Sequence, residues 1–181
     1  GSATEKETER MAAQTTLILG GARSGKSRFA QQLAESARLR KRIIVTATAG
    51  DAEMTARIAH HRAERGADWT TIEAPLALPE AIAAAAADDV TVVVDCLTLW
   101  LANVMLAGQD VTAQSQALTE AVAACPHPLI LVSNEVGFGI VPENALGRAF
   151  RDAQGRLNQA VAATAVKVVL VVAGLPLWIK G

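Results

Sequence analysis

The clearest chemistry in this 181-residue chain lies in the glycine-rich stretch Gly20-Gly21-Ala22-Arg23-Ser24-Gly25-Lys26-Ser27. It fits the pattern GxxxxGK(S/T), directly after a β-rich run and directly before a helical pattern. Glycines let backbone N–H groups approach phosphate oxygens closely, and a helix start adds a partial positive charge. Lys26 can reach the β- and γ-phosphates, and the Ser27 hydroxyl can hold Mg²⁺. The stretch therefore predicts a nucleoside triphosphate site with Mg²⁺ as cofactor.

A second metal ligand is predicted at Asp95, which ends the apolar run Val90 to Val94. In proteins with this phosphate loop (the P-loop), such an acidic residue holds the metal opposite the Ser or Thr hydroxyl. The structural alternative is that Asp95 caps a helix starting at Leu97. Because a P-loop is already present, the metal role is favoured, with Ser27 and Asp95 sharing Mg²⁺.

A pair of histidines, His60 and His61, lies in a segment with helical spacing. Neutral imidazole is a nucleophile near pH 7, since its reference pKa is about 6.5, so it can attack phosphorus. Neighbouring arginines would neutralise charge on the transferred group. Only His61 shares the helical stripe of Met54 and Ile58, and it should face the protein body. From the residues alone, the alternative that both histidines are surface residues stays open.

A glycine-containing loop, Asn134 to Asn144, follows another apolar strand pattern. Ligands of open α/β sheets bind at this end of the strands, so the loop is a candidate for phosphate or substrate contact. It is also compatible with a turn chosen for geometry alone, with Pro142 in the first turn of the next helix. Arg148, Arg151 and Arg156 form either a phosphate-facing row or a solvated face that pairs with Asp152.

Strand and helix patterns alternate along the chain. We predict strands at Thr15–Leu19, Ile43–Thr48, Thr70–Ile72, Val90–Val94, Leu129–Ser133 and Lys167–Ala173. We predict helices at Ser27–Ala37, Asp51–Arg65, Pro79–Ala87, Leu97–Leu106, Ala113–Ala124 and Glu143–Ala165. The alternation predicts an α/β fold of the P-loop NTPase type, with a mostly parallel sheet flanked by helices on both faces.

Composition excludes several classes of function. A net charge of −1 and 3% aromatic residues argue against nucleic-acid binding. The longest apolar run, Val168 to Ile179, is interrupted and shorter than the roughly 20 residues of a membrane span. Cys96 and Cys125 match no metal-ligand spacing, which predicts buried reduced thiols and a cytoplasmic location. Residues 1–12 read as a disordered tail or a cloning remnant, and residues 13–181 as one domain.

Together, four motifs in order give the chain a specific resemblance: the P-loop, the double histidine, the segment NEVGFGIVPEN from Asn134, and FRDxxGRxNQ from Phe150. This set resembles the bifunctional adenosylcobinamide kinase / adenosylcobinamide-phosphate guanylyltransferases of cobalamin biosynthesis. The resemblance runs from about Thr16 to Lys180.

The resemblance implies two reactions, with GTP and ATP as nucleotide substrates. The γ-phosphate of a nucleoside triphosphate passes to the aminopropanol hydroxyl of adenosylcobinamide, and GMP from GTP then passes through a histidine adduct to that phosphate. It places the adduct on His61, with His60 as the alternative. It also implies a homo-oligomer, with a trimer as the expected state. Contacts to GTP are implied at Ala47, Thr48, Ala49, Arg62, Ala63, Glu64, Arg65 and Glu73.

Two rival interpretations differ in class. In one, the protein is a small-molecule P-loop kinase whose histidines are surface residues. In the other, it is a nucleotide-binding regulator that acts on a protein partner.

Overall fold

The computed structural model describes residues 14–48 and 66–181 of the chain. The predicted tail, residues 1–12, and the predicted helix Asp51–Arg65 lie outside these residues.

In the described part of the chain, the strands are β1 Thr15–Gly20, β2 Arg40–Val45, β3 Trp69–Glu73, β4 Val90–Asp95, β5 Leu129–Asn134, β6 Lys167–Val172 and β7 Leu175–Lys180. They form a 7-stranded sheet in the order β3-β2-β4-β5-β1-β6-β7. Every neighbouring pair is parallel except β6 and β7. The predicted mostly parallel sheet is confirmed.

Helices cover both faces of this sheet. They are α1 Lys26–Ser36, α2 Leu78–Ala85, α3 Leu97–Leu106, α4 Val111–Ala124 and α5 Ala145–Thr164. One face packs against α1, and the other against α2 to α5. Consecutive strand residues such as Leu17 and Ile18 belong to opposite clusters and are both fully buried, because strand side chains alternate between faces. The predicted two-sided arrangement is therefore confirmed.

The β2 strand begins three residues earlier than predicted and ends at Val45 rather than Thr48. Its first residues, Arg40 and Lys41, are charged, which concealed the strand in the sequence. Lys41 is nevertheless buried, because its Nζ donates to Asp68 Oδ2 at 2.6 Å. This contact lowers the pKa of the Asp68 carboxyl. The ion pair with Asp68 therefore allows the charged Lys41 to occupy a buried strand position where an apolar residue would be expected.

The β7 strand is absent from the predicted strands, because Gly174 interrupts the apolar run from Val168 to Ile179. Ala173 and Gly174 form a two-residue connection from β6 to β7, with φ values of 52° and 77°. Positive φ at both positions is typical of the type I′ turns that close hairpins. The apolar run therefore folds back on itself as an antiparallel pair.

The α5 helix begins at Ala145, two residues after the predicted start. The Asn144 side chain accepts a hydrogen bond from the Gly147 N–H at 2.6 Å and caps the helix. Pro142 therefore precedes the helix, and its predicted place in the first turn is wrong. The predicted α3 helix, in contrast, has the predicted bounds.

Gly20 marks the point where β1 passes into the P-loop, and its surroundings leave no room for a side chain. A Cβ at this position would overlap the Ser24 Oγ and lie 3.0 Å from the Val171 carbonyl oxygen. A Cβ at Gly21 would meet nothing within 4 Å. Of these two adjacent glycines, only Gly20 occupies a position that has no room for a Cβ.

We expect Gly20→Ala to lower the free energy of unfolding by about 1–3 kcal/mol, because the new methyl group overpacks the turn. The matched control Gly21→Ala should stay within about 0.5 kcal/mol of the wild type. Urea unfolding followed by circular dichroism measures both. Equal shifts in the two variants would contradict the close packing at Gly20.

Candidate active site

The P-loop turn connects β1 to α1, and within it the Ser24 N–H donates to the Gly21 carbonyl at 3.3 Å. Gly25 is the N-cap of α1 in the left-handed conformation, with φ 92° and ψ 10°, which glycine adopts without strain. Glycine offers no capping side chain, so the first N–H groups of α1 remain available to an anion. Lys26 Nζ lies over the turn and donates to the Gly21 carbonyl at 3.0 Å. This is a cradle for phosphate with an ammonium group at its edge.

Backbone hydrogen bonds hold the turn on two sides. On the β6 side, the Gly174 N–H donates to the Ser24 carbonyl at 2.7 Å. On the β5 side, the Glu135 N–H donates to the Gly20 carbonyl at 3.0 Å. The two neighbouring strand ends thus fix the position of the cradle through contacts that no local sequence pattern indicates.

Asp95 closes β4 two strands away from β1, in register with Val45 and Val132. It does not cap α3: the N-cap is Cys96, whose Sγ accepts from the Leu99 N–H at 3.5 Å. The structural alternative considered for Asp95 is therefore wrong.

A groove of about 500 Å³ lies between α1 and the sheet, and both Ser27 and Asp95 line it. A hydroxyl and a carboxylate are the oxygen donors that Mg²⁺ accepts. Because Mg²⁺ takes few protein ligands and completes its shell with water and substrate phosphates, two such residues suit it. In the described part of the chain, no group of three or more His, Cys, Asp and Glu residues forms a dedicated metal cage. The donor set fits a metal bound together with a nucleotide.

Cys96 lies beside this groove but is not a nucleophile. Burial, reinforced by the neighbouring Asp95 carboxylate, raises the pKa of the Cys96 thiol to about 11. At neutral pH the side chain is therefore a protonated thiol, as the sequence analysis expected of a buried cysteine. Cys125 was also predicted to be buried, but it is only half-buried.

A buried threonine ties the end of β2 to the start of α3. Thr46 Oγ1 donates to the Cys96 carbonyl at 2.7 Å and accepts from the Cys96 N–H at 3.0 Å. Asn103 Nδ2 donates to the carbonyls of Thr46 and Pro75. These bonds position the two residues that follow, Ala47 and Thr48, at the same edge of the sheet as Asp95.

A second polar cluster supports the end of β5. Ser133 Oγ donates to Asn158 Oδ1 at 2.7 Å, and Gln154 Nε2 donates to both. Asn158 Nδ2 in turn donates to the Asn134 carbonyl, and the Asn134 N–H donates to Thr98 Oγ1. The Asn158 of the FRDxxGRxNQ motif therefore supports the site from beneath the loop.

The loop after β5 is organised by Glu135, whose carboxylate accepts from the Gly137 and Phe138 N–H groups at 2.9 and 3.1 Å. The three arginines of α5 do not form a row. Arg148 donates to loop carbonyls of Pro142 and Glu143, and Arg151 lies 3.6 Å from Asp152. Arg156 lines a separate groove between α4 and α5.

Apart from Ala47 and Thr48, which directly follow Thr46, the predicted site residues divide into three groups. The structure places Gly20 to Ser27 and Asp95 around one cradle and groove. Glu73 ends β3 at the same edge, next to Val45, but lines a shallow cavity with Ala74 to Ala77 instead. Residues outside the described part are Ala49, His60, His61, Arg62, Ala63, Glu64 and Arg65.

Among the described residues, we find no helix with the length and apolar character that crossing a bilayer requires.

Comparison with solved structures supports the fold. The flagellar accessory protein FlaH from Methanocaldococcus jannaschii superimposes with a TM-score of 0.53, covering 99% of this chain and 86% of that chain. At 12% sequence identity, this similarity concerns the fold alone.

Comparison of sequences is far more specific. Over 167 residues the chain is 48% identical to "Bifunctional adenosylcobalamin biosynthesis protein CobP" of Pseudomonas aeruginosa, covering 91% of this chain and 96% of that protein. It is 41% identical to "Bifunctional adenosylcobalamin biosynthesis protein CobU" of Salmonella typhimurium, covering 91% and 98%. Residues 16–179 match the family described as cobinamide kinase / cobinamide phosphate guanyltransferase, and the chain therefore belongs to that family.

Proposed function

We propose that this protein phosphorylates the aminopropanol hydroxyl of adenosylcobinamide and then attaches GMP to the new phosphate, giving adenosylcobinamide-GDP. The observation that carries the proposal is the P-loop cradle beside the groove shared by Ser27 and Asp95, in a chain that matches the family from residue 16 to residue 179. Both reactions consume nucleoside triphosphates, which supports a cytoplasmic location.

In the kinase step, the substrate hydroxyl oxygen bonds to the γ-phosphorus of ATP or GTP. The bond from that phosphorus to the β–γ bridging oxygen breaks, the nucleoside diphosphate leaves, and the hydroxyl proton is released. Lys26 gives up its hydrogen bond to the Gly21 carbonyl and binds the β- and γ-phosphates instead. The N–H groups at the start of α1 hold the triphosphate in place. Ser27 and Asp95 would hold Mg²⁺, which supplies charge neutralisation on the phosphates.

In the guanylyl-transfer step, a nitrogen of His61 bonds to the α-phosphorus of GTP and pyrophosphate leaves. An oxygen of cobinamide phosphate then bonds to that phosphorus as the P–N bond breaks, which splits one displacement into two. We assign GTP contacts to Ala47, Thr48, Ala49, Arg62, Ala63, Glu64, Arg65 and Glu73. The adjacency of β2, β3 and β4 supports this assignment, because Thr48 lies three residues after the end of β2 while Glu73 and Asp95 end β3 and β4.

We further propose that residues 13–181 form one domain and that the protein is a homo-oligomer, with three copies as the expected state. Exposed apolar side chains support an assembly: Phe138 and Ile140 of the loop after β5 are 87% and 97% exposed, and Leu175 of β7 is 70% exposed.

Light scattering should give about three times the 18.9 kDa mass of one chain. A monomer at micromolar concentration would contradict this assembly.

Incubation with GTP labelled at the α-phosphorus should give a protein-bound label that is acid-labile and alkali-stable, with release of pyrophosphate. We expect His61→Ala to reduce labelling by roughly a thousandfold or more while phosphoryl transfer continues, because only the nucleophile is lost. Lys26→Ala should lower both activities by roughly a hundredfold or more. His60→Ala is the matched control. Labelling that survives His61→Ala but not His60→Ala would move the adduct to His60, and no label in any variant would leave a plain kinase.

Asp95→Asn keeps the size of the side chain and removes its charge. We expect the Mg²⁺ concentration for half-maximal kinase rate to rise roughly tenfold or more. Asp110→Asn is the control, since Asp110 caps α4 through its side chain and asparagine caps equally well. An unchanged Mg²⁺ dependence in Asp95→Asn would show that Asp95 does not bind the metal.

A further inference from the structure

Asn134 ends β5 at the point where the sheet meets the P-loop. It is in register with Gly20, the last residue of β1, whereas Asp95 is in register with Val132, two residues earlier in β5. In the sheet, β5 lies between β1 and β4. Since a strand rises about 3.3 Å per residue, Asn134 lies about 7 Å further toward the carboxyl edge than the level of Asp95. Asn134 therefore lies between the strand that carries the phosphate cradle and the strand that carries the proposed metal ligand.

The side chain of Asn134 projects from the face of the sheet that α1 covers. The preceding Ser133 points to the other face, because its Oγ is hydrogen-bonded to two side chains of α5. Strand side chains alternate between faces, so Asn134 shares a face with Val132. Val132 lines the groove of about 500 Å³ that Ser27 and Asp95 also line. The Asn134 amide is therefore directed to the same side of the sheet as the proposed metal ligands.

Three hydrogen bonds fix the backbone around this side chain. The Asn134 N–H donates to Thr98 Oγ1 at 2.8 Å, and the Asn134 carbonyl accepts from Asn158 Nδ2 at 3.1 Å. The N–H of the next residue, Glu135, donates to the Gly20 carbonyl at 3.0 Å. A backbone that is already fixed loses little conformational freedom when its side chain binds a ligand. The position of the Asn134 amide is thus set before a nucleotide binds.

The side-chain amide of Asn134, in contrast, makes no hydrogen bond to any residue that the structure describes. The residue is half-buried, so the amide can still contact a group that enters the groove. An asparagine amide offers two N–H donors and carries no charge. Hydrogen bonds to an ionised acceptor are roughly twice as strong as those between neutral groups. A phosphate oxygen is therefore a suitable acceptor for this amide.

Glu135, the next polar side chain after β5, is unsuited to the same contact. Its carboxylate already accepts hydrogen bonds from the Gly137 and Phe138 N–H groups. A carboxylate also carries the same sign of charge as a phosphate and repels it. Of these two consecutive side chains, only Asn134 can act as a donor to phosphate.

We propose that Asn134 Nδ2 donates a hydrogen bond to an oxygen of the γ-phosphate and keeps it during phosphoryl transfer. The inference rests on the proposed function for the kinase reaction. The substrate hydroxyl oxygen bonds to the γ-phosphorus, the bond to the β–γ bridging oxygen breaks, and the hydroxyl proton is released. Charge is then spread over the three equatorial oxygens of the transferred group, and the amide holds one of them. This contact distinguishes a nucleoside triphosphate from a diphosphate.

Nucleotide binding by Asn134→Ala tests the contact without requiring turnover. With Mg²⁺ present, we expect the Kd for the nonhydrolysable analogue AMP-PNP to rise roughly tenfold, because a hydrogen bond to a charged group is lost. The Kd for ADP, which lacks the γ-phosphate, should stay within about twofold of the wild-type value. Isothermal titration calorimetry on the full-length protein measures both. Unchanged binding of AMP-PNP, or equal losses for AMP-PNP and ADP, would overturn the proposal.

Asn134→Asp keeps the size of the side chain and places a negative charge against the phosphate. We expect kcat of the kinase reaction to fall roughly a hundredfold, while KM for cobinamide changes less than about threefold. The matched control is Gln109→Glu, which adds the same charge at an exposed position on the α3–α4 connection and should change neither constant.

Two further outcomes separate this proposal from its rivals. If the variants at Asn134 raise KM for cobinamide and leave AMP-PNP binding unchanged, the amide contacts the acceptor substrate and the proposal is wrong. If AMP-PNP and ADP respond to Asn134→Ala as expected but the wild-type protein phosphorylates no cobinamide, the proposed function fails and the phosphate contact stands.

Discussion

The backbone of the P-loop turn is held between two strand ends, and the active site depends on this arrangement. The Glu135 N–H binds the carbonyl at the start of the turn, and the Gly174 N–H binds the Ser24 carbonyl within it. Phosphate binding by backbone donors requires that those donors already point inward, since ordering a loop costs about 1–2 kcal/mol per residue. The flanking strands meet this cost during folding, before any nucleotide arrives.

The same principle extends along the carboxyl edge of the sheet. Thr46 joins the end of β2 to Cys96 after β4, and the cluster of Ser133, Gln154 and Asn158 supports the end of β5. In a low-dielectric interior each such bond is strong and costly to lose, so the clusters fix the relative positions of strand ends that are far apart in sequence. The residues proposed to act on phosphate thus stand on a rigid edge, although they come from separate segments.

The sequence was sufficient wherever one local pattern determined the outcome. The mostly apolar run of β4 predicted a strand, and the P-loop predicted the cradle between β1 and α1. The partners of Thr46 and Ser133 could not be predicted, because their contacts join residues 50 and 21 positions apart. The β7 strand was missed because Ala173-Gly174 lacks the usual Asn-Gly signal of a tight turn. Cys96 caps α3, which is the role considered for Asp95. This was not predicted, because a thiol is seldom a helix cap.

The protonated thiol of Cys96 also affects how the protein meets oxidants. Peroxides and alkylating agents react with thiolates, and a group that loses its proton only near pH 11 offers them almost no target at neutral pH. The sulfur atom next to the Asp95 carboxylate, the proposed metal ligand, is therefore unreactive toward these agents at neutral pH. Of the two cysteines, the one more accessible to oxidants is Cys125, which is half-buried at the end of α4 and far along the chain from the phosphate cradle.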